Sequence, residues 1–219
     1  MTMPFEVAVD GDHRRCIVGG EPLIFHCHHY NVSLQQALID AAYGDFEPVL
    51  VGAAASVAFS QLSALFAQGS ATSLAERAHV AEELYRWAGF GTLTLGGLGP
   101  AGGRVSTLDS HYAHGCRAKQ GESKTPVCFF ASGFLAGALA AIHGLPDGSF
   151  GVTHSACMAC GAPECVFEVA RASKAFEVYD SPGVGPLTAH APRPIPATPV
   201  DYEGILTAVS SLPLVGDAH

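Results

Sequence analysis

This 219-residue sequence predicts a mixed fold of the α/β (α+β) class, on three observations. Two capping boxes, Ser33–Gln36 and Ser73–Glu76, each precede apolar residues at helical spacing. Thr125-Pro126, suited to an N-cap and a first helical position, opens a long apolar run. Four short segments alternate like strands and are punctuated by Gly-rich turns.

Taken in order, residues 1–32 read as a short β-rich or irregular lead-in with a turn at Gly19-Gly20. Ser33 then opens a helix with Leu34, Ala37, Leu38 and Ala41 at helical spacing. A second helix covers about 46–67, and its small-residue run "GAAAS" suits close helix contact. Ser73 opens a third helix, which Gly89 can end. "TLTLGGL" (92–98) and "RVSTLDS" (104–110) read as two strands around Gly102-Gly103. The helix opened at Thr125 runs to about Ile142, with Gly144 as its stop. "SFGVTHSA" and "CVFEVAR" are the last two strands. Residues 1–180 thus form one domain, with a helical part at 33–89 and a core at 105–170. In 181–219, Pro182, Pro186, Pro192, Pro194, Pro196 and Pro199 describe a linker or surface-hugging arm, with "DYEGILTAVSSL" as a short terminal helix.

Composition narrows the function. The chain is 48% hydrophobic, enough to bury a core. A net charge of -9, with only 11 Lys and Arg, argues against nucleic acid and anionic membrane partners. No continuous apolar run reaches the roughly 18–20 residues of a membrane span. The start "MTMPFEVAVD" has neither a basic n-region nor an apolar h-region, so a cytoplasmic location is the expectation. There, seven cysteines are ligands or buried thiols rather than disulfides. Neither Gly96-Gly97 nor Gly102-Gly103 belongs to a phosphate-loop motif.

The most specific stretch is "THSACMACGAPECVFEV". Cys157, Cys160 and Cys165 lie near His154, and Gly161 allows a tight turn between them. Zinc takes four N or S ligands in a tetrahedron, often delivered by such a turn and a neighbouring element. Cys128 sits in the first turn of the helix at 126–142, where the helix dipole favours thiolate; it also reads as an ordinary buried thiol.

These residues resemble the 4-vinyl reductase domain family, which includes the sensor domains of phenol-responsive activators. The matching residues are Ser110, Gly121, "PVC" at 126–128 and "GFLAG" at 133–137, then His154, Cys157, Gly161, Cys165 and Phe167, all within about 105–170. The resemblance implies an antiparallel sheet packed with helices around an apolar pocket, often in a homodimer. It implies a structural zinc held by Cys128, His154, Cys157 and Cys165; Cys160 has no counterpart in the family, and it is either a bystander or a substitute for Cys157 as ligand. His154 stands where the sensors have Glu and remains a competent ligand. The implied partner is a small apolar or aromatic molecule, with a tetrapyrrole among the options. An iron–sulfur centre at the same cysteines is a lesser alternative.

The histidines suggest a second reading. "FHCHHYN" (25–31) places His26, His28 and His29 together, and "SHYAH" (110–114) adds His111 and His114. If 25–31 is extended, His26 and His28 face one side and Cys27 and His29 the other. The plain alternative is solvated histidines ahead of a helix. His111 adjoins the Ser of the family motif, in the segment that lines the sensors' pocket. If the two clusters converge, neutral imidazoles would suit Fe, Zn, Cu or haem, and the chain would be a redox or hydrolytic metalloenzyme. Tyr85 and Trp87 read as core or pocket wall.

Overall fold

The computed structural model describes residues 3–173, apart from residues 13, 20, 25, 42–45 and 70. The Pro-rich arm expected at 181–219 lies outside the described residues.

The lead-in is a three-stranded antiparallel sheet, β1 (Val7–Asp10), β2 (Arg15–Val18) and β3 (Glu21–Leu23). Helices α1 (His28–Asp40), α2 (Phe46–Ala67) and α3 (Leu74–Trp87) follow. Then come β4 (Gly102–Thr107), α4 (His111–Gln120), α5 (Phe129–His143), β5 (Phe150–Ala156) and β6 (Cys165–Arg171). The second sheet is antiparallel in the order β4-β6-β5. This is an α+β fold with two small sheets, as the sequence predicts.

Local chemistry explains most of the boundaries. At α3, the Ser73 hydroxyl accepts the Glu76 amide and the Glu76 carboxylate accepts the Ser73 amide at 2.9 Å, so the capping box is formed on both sides. Gly144 ends α5 in the left-handed region, which costs a glycine little.

Three expectations fail. Helix α1 starts at His28, not at Ser33, with Cys27 as an N-cap that makes no side-chain hydrogen bond. Ser33 is therefore interior, and its capping box does not form. Segment 92–98 is not a strand. Leu93 and Leu95 are buried, but the Leu95 and Gly96 amides donate to the Glu82 carboxylate at 2.5 and 3.1 Å, and β4 pairs with β6 instead. Helix α5 begins after Cys128 rather than at Pro126. Upstream, the Val127 carbonyl accepts the Gln35 amide at 2.9 Å, and Ser123 and Thr125 close a turn of their own.

Helix α5 is buried along nearly its whole length and forms the spine of the core. Burying each large side chain such as Leu135 or Leu139 contributes about 1.5–3 kcal/mol. Helix α2 lies along α5 because Gly133 and Gly137 let the backbones meet: a Cβ at Gly137 would strike the Ala55 carbonyl. By length and composition α2 is apolar enough to cross a membrane. Its serines, Glu47 and Gln61 interrupt the continuous run by which a span is recognised in sequence.

Candidate metal centre and ligand cavity

Four side chains, from α5, β5, β6 and the 3₁₀ turn between the two strands, converge at one end of the second sheet. Cys128 is the N-cap of α5 and Cys165 the first residue of β6. His154 pairs with Phe167 across the strands, and a bulge at Ser155 follows, where Ala156 pairs with Val166. The bulge re-aims the end of β5. Cys157 then enters a 3₁₀ turn at Met158–Cys160 that Gly161 closes at φ 83°. This turn carries the chain back so that the Met158 amide donates to the Cys165 sulfur at 3.4 Å.

The Cys128 sulfur lies 4.0 Å from that of Cys157 and 3.8 Å from that of Cys165. With the His154 ring, all four ligand atoms lie within 4.8 Å of one another. Tetrahedral zinc with thiolate bonds of about 2.3 Å separates its sulfurs by roughly 3.8 Å. The imidazole is held in place by stacking on Phe167, with centroids 4.4 Å apart. Its Nε2 is buried and finds no hydrogen-bond partner among the described residues. One imidazole and three thiols with converging ligand atoms are the donor set of a structural zinc-class metal, and these residues fit one.

The thiols alone are in conflict. Cys157 receives hydrogen bonds from Cys128 and Cys165 and ionises far below the usual thiol range. Cys128 is pushed well up by the same contacts and by burial, so the lowering expected from its helix N-terminus is overridden. At Cys165 the bond from Cys128 pulls down, but Cys157 and burial outweigh it and the thiol rises to about 11. A bound cation lets three thiolates coexist. Cys160 is outside the converging group, on the 3₁₀ turn, with its thiol pushed up by burial and by the charge of Cys157.

The five histidines do not form one group. The segment is helical from His28, so the alternation expected of an extended strand is absent. His26 packs on Tyr30, and His29 contacts the Lys119 ammonium, a poor neighbour for a cation. His28 lies 5.9 Å from His111, ring to ring. Burial, then His28, lowers the pKa of His111. His114 turns outward to the Leu108 carbonyl and Asp109. Among the described residues, the Cys-His set is the one converging group of three or more such ligands.

A cavity of about 180 Å³ lies between α2, α3, α5 and the chain ahead of α1. Its walls include Tyr85, Phe90, Phe130 and Phe134, with Gln61, Asn31 and His26 as polar members. Phe90 stacks on Phe130 with centroids 4.0 Å apart, and Tyr85 lies 4.8 Å from Phe134. Burial raises the Tyr85 pKa well above its usual value, so its hydroxyl stays protonated. Sequence reading named Tyr85 as core or pocket wall and missed the other rings, which come from separate elements. Phe130 is two residues from Cys128, so the cavity and the converging Cys-His group share the first turn of α5.

No family model and no curated protein matches this chain. Solved structures do. The phenol-responsive sensory domain of the transcription activator PoxR, solved with phenol, superimposes with a TM-score of 0.61 at 15% identity, over 75% of this chain and 84% of that one. A vinyl-4-reductase family protein from Methanocaldococcus jannaschii aligns at 22% identity over 49% of this chain and 73% of that one, with a TM-score of 0.33, too low to bear on the fold. The described domain has the fold of the PoxR sensory domain.

Proposed function

We propose that this chain is a binding domain of the 4-vinyl reductase type that holds a small aromatic molecule beside a structural zinc. The observation that carries the reading is the aromatic-walled cavity set one helical turn from the converging Cys128, His154, Cys157 and Cys165. A cavity of about 150 Å³ accommodates benzene, so 180 Å³ suits a single ring. The PoxR domain, solved with phenol, supports the same ligand class. Four protein ligands leave the metal no open position, so it supplies a cross-link between α5, β5 and β6 rather than a reaction centre. A homodimer and a cytoplasmic location belong to the same proposal.

The test is calorimetric titration of the purified, zinc-loaded chain with phenol, benzaldehyde and styrene. At least one should bind at one equivalent per chain, and Phe130→Ala should weaken it about tenfold or more, the loss of one ring contact and its buried area. Absence of binding by all three to a folded, zinc-replete chain overturns the reading.

A further inference from the structure

The 3₁₀ turn that brings Cys157 into the converging group carries a further cysteine. Residues 157–160 read Cys-Met-Ala-Cys, a C-x-x-C spacing that serves metal binding or dithiol redox chemistry. Metal binding accounts for Cys157 alone, because Cys160 lies outside the converging group and four donors already complete a tetrahedron. Access sets the two apart as well. Cys160 is partly exposed, whereas Cys128, Cys157 and Cys165 are at most 2% exposed. The turn nevertheless holds the pair within bonding range. The Cys160 amide donates to the Cys157 carbonyl at 2.9 Å. In 3₁₀ geometry residues three apart eclipse at a separation of about 6 Å, and a disulfide spans Cα atoms roughly 4.4–6.8 Å apart. The Cys160 thiol also lies close enough to Cys157 to feel its charge. An open thiol thus stands beside a closed ligand.

We propose that Cys157 and Cys160 form an oxidation site, at which a low-molecular-weight disulfide turns a metal ligand into half of a protein disulfide and frees the metal. The proposal rests on the reading of Cys128, His154, Cys157 and Cys165 as a zinc site. Exchange begins at the accessible sulfur. Cys160 gives its proton to water and attacks the small disulfide; a mixed disulfide forms, the small S–S bond breaks, and one small thiolate leaves and takes up a proton. A ligating cysteine is held as thiolate, the nucleophilic form. The Cys157 thiolate therefore attacks the Cys160 sulfur, expels the second small thiolate and closes the Cys157–Cys160 bond. Two electrons have passed from the two cysteines to the small disulfide. Cys128, His154 and Cys165 remain, one donor short of the tetrahedron, and the zinc leaves. Cys116 lies near Cys160 too, but it is a buried thiol donating to the Gln120 side-chain oxygen at 3.3 Å and is not a member of the ligand group.

Glutathione disulfide applied to the zinc-loaded full chain makes the test. A chromogenic chelator follows zinc release, and mass mapping after alkylation identifies the paired thiols. Zinc content is measured before the oxidant is added. The wild type should release its zinc equivalent in step with one Cys157–Cys160 disulfide, and a dithiol reductant with added zinc should restore the starting protein. Cys160→Ala should begin with the same zinc content and release it about tenfold or more slowly, because the oxidant must then reach a buried sulfur directly. Equal release rates in the wild type and the folded variant overturn the inference. If the variant does not fold, mapping of the wild type decides alone. A Cys116–Cys160 disulfide, a pairing within the ligand set, or a wild type that keeps its zinc and its thiols each overturn it, and in all of these cases the zinc site stands. A folded wild type that holds no zinc before the oxidant is added removes the zinc reading and the inference together.

Discussion

At the scale of residues, the chain's clearest chemistry is a set of donors that satisfy one another poorly. The Cys128 sulfur lies 4.0 Å from that of Cys157 and 3.8 Å from that of Cys165, and the His154 ring brings a fourth ligand atom within 4.8 Å of all three. A metal bound only by the native state adds its binding free energy to folding. Cys157→Ser should therefore lose the zinc equivalent and lower the melting temperature by about 10 °C or more. Cys160→Ala should keep the metal and melt within about 2 °C of the wild type. Metal content per chain and scanning calorimetry read both, and a Cys157→Ser protein with a full zinc equivalent refutes the ligand set. This site was visible in sequence because a tight turn fixes three of its four donors within twelve residues of chain, His154 to Cys165. The histidine run was not interpretable in the same way. The direction of each ring depends on where α1 begins, and that start carries no side-chain cap to announce it.

Among the elements, α3 shows how completely a local motif can specify a boundary. The Glu76 carboxylate accepts the Ser73 and Thr72 amides and the Thr72 hydroxyl, which brings its pKa from 4.5 down to about 2. A folded-state pKa below the unfolded one marks stability that is present above 4.5 and is lost as pH falls through about 2. Glu76→Gln should melt lower than the wild type at pH 7, and the gap should narrow steadily below pH 4.5. Melting curves of the two proteins across that range provide the check. The shared metal site cancels in the difference, and a gap independent of pH means that the carboxylate charge plays no part. Ser73–Glu76 and Ser33–Gln36 look alike in sequence, yet only the first forms. At α1, helix-compatible residues extend back through His28, and packing of Val32 and Gln35 continues the helix past Ser33. Segment 92–98 misled for a related reason. Its alternating leucines face the core as a strand's would, but its amides are taken by Glu82 rather than by a neighbouring strand.

Over the whole molecule, metal centre and cavity are two ends of one packed unit. The Ser110 hydroxyl touches the Cys128 sulfur at 3.2 Å. The next residues along α4, His111 and Tyr112, place their rings against Phe90, which stacks on Phe130. The cavity could not be read in advance, because its rings lie far apart in the chain on α3, α5 and the loop after α3 and meet only through the packing of α2 on α5. The same arrangement predicts energetic coupling. A zinc held as proposed would fix Cys128, hence the first turn of α5, hence Phe130 and the ring stack that forms the cavity wall. Ordering that wall in advance lowers the cost of binding a ligand, and by reciprocity the ligand must favour the metal by the same factor. Removing zinc with a chelator should therefore weaken benzaldehyde binding by about fivefold or more, within the usual range of such couplings. If the stripped chain unfolds, the reciprocal arm still decides: saturating benzaldehyde should lower the fraction of zinc that a competing chelator captures at equilibrium, by the same factor in affinity. Zinc affinity indifferent to a ligand that demonstrably binds means that the two sites share a helix without sharing free energy.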